Sequence, residues 1–322
     1  MKFLLYDINP GEQFFKQFAG FMYFLQLSKK HNYTLVLSPF RVRKPNFGLK
    51  KGYRFWELVS VKEKDFNYFS WEKFYDINKL KEKYNVILLE DYLKNNNNKV
   101  DVLLNRITNW EVTNEKGKTL FCGEEINFGD IEVLINNDNI LPLIEKNLKK
   151  HDSLAVYGTT FQLPITEDGY SEIRKNIKYL NIFYNEIESF LDIFNKKYLA
   201  VHWRREDFIY VKRGNPGILL TPPDLVKKCK EKMSLLGLEK VYISTDSTNL
   251  DELSYIKNKL PLIDFKITNK NLTNNECYYS IIESLICSYA DYFMGTKTSW
   301  YSENILAERL ELGKESDTQE YL

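Results

Sequence analysis

The first forty residues alternate a short apolar run, an amphipathic stretch and a second apolar run. Residues 3–8 are typical of a buried strand, and Asn9, Pro10 and Gly11 form a turn after it. Residues 12–30 carry phenylalanine, methionine and leucine at helical spacing, and residues 34–37 form the next apolar run. Strand, helix and strand at this spacing predict a βαβ unit and therefore a parallel sheet.

The middle of the chain has a weaker pattern, from which we predict a mixture of strands and helices. These are strands at 86–89 and 100–104, hairpins within 118–136, a helix at 141–149, a strand at 154–157 and one or two helices within 173–194. We place a domain junction near the start of the last segment.

The final third alternates strand and helix again. The predicted elements are strands at 198–202, 241–244 and 292–294, and helices at 222–236, 250–258, 277–289 and 299–310. A chain of 322 residues exceeds what one core usually supports. We therefore predict two doubly wound, Rossmann-like α/β domains, over residues 1–175 and 176–322, facing each other across a cleft. In such sheets ligands bind outside the carboxyl ends of the strands.

Charge argues against polyanionic partners. Lys and Arg number 45 against 44 Asp and Glu, so the formal net charge is +1. This balance gives no electrostatic reason to expect nucleic acid or an anionic membrane as the main partner. Residues 17–28, an apolar uncharged run, are too few to span a bilayer. With Asp7 ending a short N-terminal apolar stretch, we expect a cytoplasmic chain. The alternative is the secretory pathway, with a leader ahead of residue 1.

Composition adds little chemistry of its own. Aromatic residues make up 15% of the chain, and we interpret them, with the abundant Asn and Lys, as filling exposed loops rather than forming a sugar-binding surface. Four cysteines are too sparse for a disulfide scaffold, and no Cys-x-x-Cys or His-Glu-x-x-His is present. Neither a zinc site nor a cofactor is expected, and the absence of a Gly-x-Gly-x-x-Gly motif disfavours a nicotinamide.

Two segments in the second half have the chemistry of diphosphate binding. His202 and Arg204 end a strand two residues apart, so both side chains point to one face, where a guanidinium binds two phosphate oxygens at once. The alternative is a surface ion-pair cluster within residues 204–207. Farther on, a strand ends at Gly295 and hydroxyl residues open a helix, which presents Thr296, Thr298, Ser299 and backbone N–H groups to an anion. Ordinary N-capping is the alternative there.

Three carboxylates are further candidates. Glu12 lies in a first helical turn and would take a proton from an acceptor hydroxyl. Asp246 follows a buried strand and either caps the next helix or contacts a nucleotide. Glu283 lies in an apolar run, where a carboxylate needs a partner: an intramolecular Lys or Arg, or the adjacent donors of guanine. No Asp-x-Asp motif is present to hold a divalent ion on a diphosphate.

Five motifs together resemble the protein O-fucosyltransferases, most closely the branch that modifies thrombospondin type 1 repeats. They are Asp-Ile-Asn-Pro-Gly-Glu at 7–12, Leu-Val-Leu-Ser-Pro-Phe at 35–40, His-Trp-Arg-Arg-Glu-Asp-Phe at 202–208, Ser-Thr-Asp at 244–246, and the block from Ile281 to Arg309. Residues 41–195 carry no match beyond general pattern.

The resemblance implies a GT-B architecture and an inverting, metal-independent transfer of fucose from GDP-fucose to a Ser or Thr hydroxyl of a protein. Glu12 would be the general base, and Arg204 would stabilise the charge that grows on the β-phosphate. The residues expected to hold the nucleotide sugar are Asn9, Pro10, Gly11, His202, Asp246, Glu283, Thr296, Thr298, Ser299 and Trp300.

The chain departs from the family's motifs at several positions. Gln13 and Phe15 replace Gly and Asn, Glu283 replaces Asp, and Trp300 and Tyr301 replace a smaller hydroxyl residue and Phe. The alternatives to protein O-fucosylation are transfer to a glycan or small acceptor, use of another nucleotide sugar, and a non-catalytic nucleotide-sugar-binding module.

Overall fold

The computed structural model describes residues 1–8, 14–43, 66–106, 120–134, 140–159, 172–211, 219–273 and 275–322. The chain divides into two compact units, Met1–Lys178 and Tyr179–Leu322. Each unit is built on a parallel sheet with helices packed against it.

The first unit contains a six-stranded sheet in the order β5-β2-β1-β10-β6-β9, and every neighbouring pair in it is parallel. The strands of the whole unit, inside and outside this sheet, are β1 (Phe3–Ile8), β2 (Thr34–Leu37), β3 (Phe40–Arg43), β4 (Phe66–Phe69), β5 (Val86–Leu88), β6 (Lys99–Arg106), β7 (Leu120–Phe121), β8 (Glu124–Glu125), β9 (Asn127–Leu134) and β10 (Ser153–Thr159). Its helices are α1 (Phe14–His31), α2 (Ile77–Lys83), α3 (Leu89–Asn95) and α4 (Leu141–Leu148).

The aromatic residues of this unit build its core, so their interpretation as loop filler is wrong for this part of the chain. Phe18 and Phe21 of α1 pack on Trp71 and Tyr75, with ring centroids 4.3 to 6.4 Å apart. Phe40 joins the same cluster, and all five side chains are buried. Aromatic rings bury large areas and interlock edge to face, which lets few residues fill the core beside α1.

The predicted hairpins within 118–136 are only partly present. β7 and β8 form a short antiparallel pair around Cys122 and Gly123, both at positive φ. β9 instead pairs parallel with β6 as the last strand in the sheet order. An edge strand needs only one partner and one buried face, so the exposed Ile131 and the polar residues of β9 hid its place in the sheet.

The second unit has a four-stranded sheet in the order β12-β11-β13-β14, and its neighbouring pairs are all parallel. Its strands are β11 (Tyr198–Trp203), β12 (Lys240–Thr245), β13 (Tyr292–Gly295) and β14 (Gln319–Tyr321). Its helices are α5 (Asn181–Phe194), α6 (Glu206–Val211), α7 (Pro222–Leu236), α8 (Leu250–Lys259), α9 (Glu276–Tyr289) and α10 (Trp300–Glu311). The sequence pattern missed β14 because its three residues are polar or exposed.

Side-chain alternation along β11 separates two packing faces. Leu199, Val201 and Trp203 join an apolar core with residues of α7 and α8. On the other face, the hydroxyl of Tyr198 donates to the carbonyl of Ile286 in α9, and His202 contacts α10. A strand that is buried on both faces therefore has one apolar face and one face with polar contacts.

Arg309 ties the end of α9 to the C-terminal segment. Its side chain is fully buried, and burial lowers its pKa to about 10. The guanidinium donates to the carbonyl oxygens of Cys287, Ser288 and Ala290 and of Thr318, to the Thr318 hydroxyl and to the Gln319 side-chain oxygen. The carbonyls at a helix C-terminus lack intrahelical partners, and this cation supplies them.

Replacing Arg309 by methionine is expected to lower the free energy of unfolding by about 3 kcal/mol or more, because buried carbonyls lose their donors. Thermal unfolding followed by circular dichroism measures this as a lower midpoint. The control is Lys227→Met on the exposed side of α7, expected within about 0.5 kcal/mol of the wild type. An Arg309→Met midpoint equal to that of the control would contradict the assignment.

Candidate functional site

Three adjacent parallel strands of the second unit end side by side. Trp203 of β11 pairs with Thr245 of β12, and Val201 of β11 pairs with Met294 of β13. The residues that follow these strands, Arg204, Asp246 and Thr296, therefore lie at one carboxyl edge. This edge is where open α/β sheets bind ligands.

Thr296 fastens two of these strand ends together. Its hydroxyl donates to the carbonyl of His202 at 2.7 Å and accepts from the backbone N–H of Arg204 at 3.0 Å. The side chain is 1% exposed. Thr296, predicted to contact a nucleotide, thus uses its hydroxyl to fix the backbone that carries Arg204.

Asp246 holds the same segment from the other side. One carboxylate oxygen accepts from the backbone N–H of Arg205 at 2.7 Å, and the other lies 3.1 Å from Nη1 of Arg204. The guanidinium carbon of Arg204 lies 5.9 Å from the centre of the Phe208 ring. The side chain of Arg204 is therefore oriented by an ion pair and a ring rather than extended into solvent.

One alternative left open by the sequence is wrong. Asp246 does not cap the following helix, because Asn249 does so by accepting from the N–H groups of Asp251 and Glu252. The charged side chains of Arg205 and Glu206 contact residues outside the 204–207 segment. Arg205 pairs with Glu252 of α8 and lies 4.7 Å from the centre of the Trp203 ring. Glu206 accepts from the N–H and hydroxyl of Thr248.

His202 is held on the face of the sheet that packs against α10. Its Nδ1 lies 2.7 Å from the hydroxyl oxygen of Ser302, and its ring lies 4.6 Å from that of Tyr301. Burial, with a smaller contribution from the Arg204 charge, lowers the pKa of His202 to about 3. The imidazole is therefore neutral at physiological pH.

The approach of α10 to this face depends on Gly295. A Cβ at that position would meet the Phe293 ring and both side-chain atoms of Ser302 at 3.0 Å. A larger residue would need Phe293 or Ser302, the partner of His202, to shift by a few tenths of an ångström. This turn therefore leaves little room for a side chain at position 295.

Glu283 of α9 finds its partners among hydroxyl groups. The Tyr242 hydroxyl donates to one carboxylate oxygen at 3.2 Å, and the Ser244 hydroxyl donates to the other at 3.3 Å. Burial raises the pKa of Glu283, and these two hydrogen bonds lower it. The sequence left open whether an intramolecular Lys or Arg pairs with Glu283. The structure shows that its partners within the protein are neutral hydroxyl donors.

The start of α10 has the features of an anion site. Thr298 lies at φ 67°, and Ser299 occupies the N-cap position, but its side chain makes no capping hydrogen bond. Side-chain capping, the alternative interpretation of this motif, is therefore not what Ser299 does. Trp300 begins the helix and is partly buried, while Thr298 is exposed. A helix N-terminus carries partial positive charge that favours an anion.

The predicted residues of the first unit, Asn9, Pro10, Gly11 and Glu12, lie outside the described residues. The strand before them is anchored by Asp7, whose buried carboxylate pairs with Arg41 and accepts from the backbone N–H of Cys122.

Among the described residues, no three or more His, Cys, Asp or Glu side chains are grouped to hold a metal ion. None of the helices within the described ranges is long and apolar enough to cross a membrane.

Four residues that contact Glu283 or His202 were not predicted as site residues from the sequence: Tyr242, Ser244, Tyr301 and Ser302. Tyr242 and Ser244 alternate on β12, so a strand register would have placed them on one face. Their contacts with α9 and α10 join segments about forty to sixty residues apart and carry no local signal.

Comparison with known proteins places this arrangement in context. A family model described as GDP-fucose protein O-fucosyltransferase matches residues 3–312. The Caenorhabditis elegans GDP-fucose protein O-fucosyltransferase 2 is 25% identical over 378 aligned positions, covering 97% of this chain and 84% of that protein. The human protein of the same name is 35% identical over 126 residues, which cover 38% of this chain and 28% of that protein.

Solved structures share the fold. POFUT1 in complex with GDP-fucose aligns over 100% of this chain and 97% of its own, with a TM-score of 0.68 and 14% identity. NodZ alpha-1,6-fucosyltransferase soaked with GDP-fucose aligns over 95% and 92%, with a TM-score of 0.51 and 12% identity. These likenesses confirm the predicted GT-B-like α/β fold class.

Below about pH 6.5, the stability that His202 contributes is expected to fall. The unfolded histidine takes up a proton near pH 6.5, whereas the folded one does so only near pH 3. The contribution is thus complete above pH 6.5 and is lost by about 1.4 kcal/mol for each pH unit below it. Urea unfolding of wild type and His202→Asn from pH 8 to 5 should show their difference shrinking below pH 6.5. A difference that stays constant down to pH 5 would show that the folded imidazole is not held neutral.

Proposed function

This chain belongs to the GDP-fucose protein O-fucosyltransferase family, and we propose that it transfers fucose from GDP-fucose to a Ser or Thr hydroxyl of a protein, inverting the anomeric centre without a metal. Family membership makes it a GDP-fucose-dependent glycosyltransferase and confirms the family predicted from its motifs.

The fixed position of Arg204 is the observation that carries the proposal. Its backbone is held by Thr296 and its side chain by Asp246, at the carboxyl edge where a diphosphate binds in such folds. As GDP leaves, negative charge grows on the β-phosphate. A guanidinium that is already oriented stabilises that charge without first reorganising, which is the most effective form of electrostatic catalysis.

The remaining residues would hold the nucleotide sugar. The N-terminus of α10, with Thr298, Ser299 and Trp300, would take the phosphates, and His202 and Glu283 would take the nucleoside. Asn9, Pro10 and Gly11 would also contact the donor, and Asp246 and Thr296 would act through Arg204. Glu12 would accept the proton of the attacking hydroxyl as that oxygen bonds to the anomeric carbon and the bond to GDP breaks.

Metal independence is supported by two features of the sequence and the site. The chain has no Asp-x-Asp motif. Arg204 and the α10 N-terminus supply the positive charge that a divalent ion would otherwise bring to the diphosphate.

GDP and GDP-fucose are expected to raise the thermal midpoint of the wild type, and UDP and UDP-sugars are not. A ligand at a hundred times its dissociation constant stabilises the fold by about 2.7 kcal/mol. Arg204→Ala should abolish most of this shift. The matched control, Lys240→Ala, removes a cation from the amino end of β12, away from the carboxyl edge, and should keep the GDP-induced shift. A full GDP shift in folded Arg204→Ala would contradict the phosphate role.

Glu12→Gln is expected to lower kcat for GDP release in the presence of a folded thrombospondin type 1 repeat by about a hundredfold or more. The GDP-induced thermal shift should stay unchanged, because the amide keeps the shape and loses only the basicity. Glu124→Gln, on the exposed β8 strand, should have wild-type kcat. Wild-type turnover by folded Glu12→Gln would contradict the general-base role.

A further inference from the structure

The hydroxyls around Glu283 form one connected network across three elements. Tyr242 and Ser244 of β12 each donate to the Glu283 carboxylate of α9, at 3.2 and 3.3 Å. The hydroxyls of Ser244 and Tyr301, from β12 and α10, lie 3.1 Å apart. Tyr301 also packs its ring against His202 at 4.6 Å.

From this geometry we propose that Tyr242, Ser244 and Tyr301 are positioning residues that aim Glu283 at the base of the nucleotide and thereby set selectivity for guanine. The inference rests on the proposed function, because it assumes that a GDP-linked donor binds at this strand edge. It identifies the residues that orient the Glu283 carboxylate toward the base.

The direction of the hydrogen bonds follows from counting protons. A serine hydroxyl has one proton, and Ser244 donates it to Glu283. With the Ser244 proton on Glu283, the hydrogen bond between Ser244 and Tyr301 is donated by Tyr301, whose other acceptor is the Ser280 carbonyl at 3.4 Å. In this arrangement Tyr301 polarises Ser244, and Ser244 orients one oxygen of Glu283.

Neutral donors leave the charge of Glu283 available for a ligand. Tyr242 and Ser244 orient both carboxylate oxygens without neutralising them, as a Lys or Arg would. Guanine has an N1–H and a 2-amino group on one edge, which match two carboxylate oxygens. Hypoxanthine keeps the N1–H and lacks the amino group, so it would make one hydrogen bond fewer to the Glu283 carboxylate.

Titration calorimetry with GDP and with IDP on the full chain tests this inference. The wild type is expected to bind GDP more tightly than IDP. In Tyr301→Phe and in Ser244→Ala, the affinity for GDP should fall on the order of tenfold while that for IDP changes much less, so that the GDP:IDP preference narrows. Far-UV circular dichroism and the thermal midpoint confirm that each variant is folded.

Tyr198→Phe is the matched control. It removes a buried tyrosine hydroxyl that bonds to α9 through Ile286, outside the network. Its GDP:IDP preference should equal that of the wild type. A combined Ser244→Ala, Glu283→Asp and Tyr301→Phe variant should lose less preference than the separate losses predict, because the three side chains act as a unit.

The outcomes separate this inference from the proposed function. If the wild type prefers GDP and Tyr301→Phe and Ser244→Ala both keep that preference, or lose GDP and IDP affinity equally, the network does not set base selectivity and the inference fails alone. If the wild type binds neither GDP nor IDP, the proposed function fails and the inference with it.

Discussion

The carboxylate of Asp246 is the constraint on which the arrangement at the sheet edge depends. It binds the backbone N–H of Arg205 and the guanidinium of Arg204, so the segment after β11 is tied to the end of β12. Thr296 ties the same segment to the end of β13. Three strand ends are thereby fixed together by groups of the protein itself. An arginine held in this way loses little rotamer freedom when an anion arrives, which favours both binding and catalysis.

Three buried polar side chains between the sheet and the helices α9 and α10 have neutral hydrogen-bond partners. Glu283 is bonded to hydroxyls, Arg309 to backbone carbonyls, and neutral His202 to the hydroxyl of Ser302. Burying such groups without partners would cost several kcal/mol each. The opposite face of the same sheet, packed against α7 and α8, is mainly apolar, and its Trp203 indole donates to the carbonyl of Leu220. The face of β11 on which a side chain lies therefore decides whether that side chain meets polar partners or the apolar core.

Much of the fold was predictable because most helices and strands are specified by the pattern of residues within them. The apolar runs gave β1, β2, β11 and β12, helical spacing gave α1 and α9, and Thr221 caps α7 as its side chain suggests. The misplaced elements are those whose partners are distant in sequence. β9 is an edge strand with an exposed isoleucine, and only its pairing with β6 makes it part of the sheet. The aromatic residues were predicted to lie in exposed loops, because composition does not indicate which rings are buried.

The sequence by itself determined the residue types at the strand ends, the order of the motifs and hence the family, since these depend on neighbours along the chain. The tertiary structure alone decided what each polar atom bonds to. It assigned the hydroxyl of Thr296 to the backbone, Asp246 to two arginines and Glu283 to a chain of hydroxyls. Hydrogen bonds act over about 3 Å, and residues forty or more positions apart come within that distance only when the strands are in register and the helices are packed.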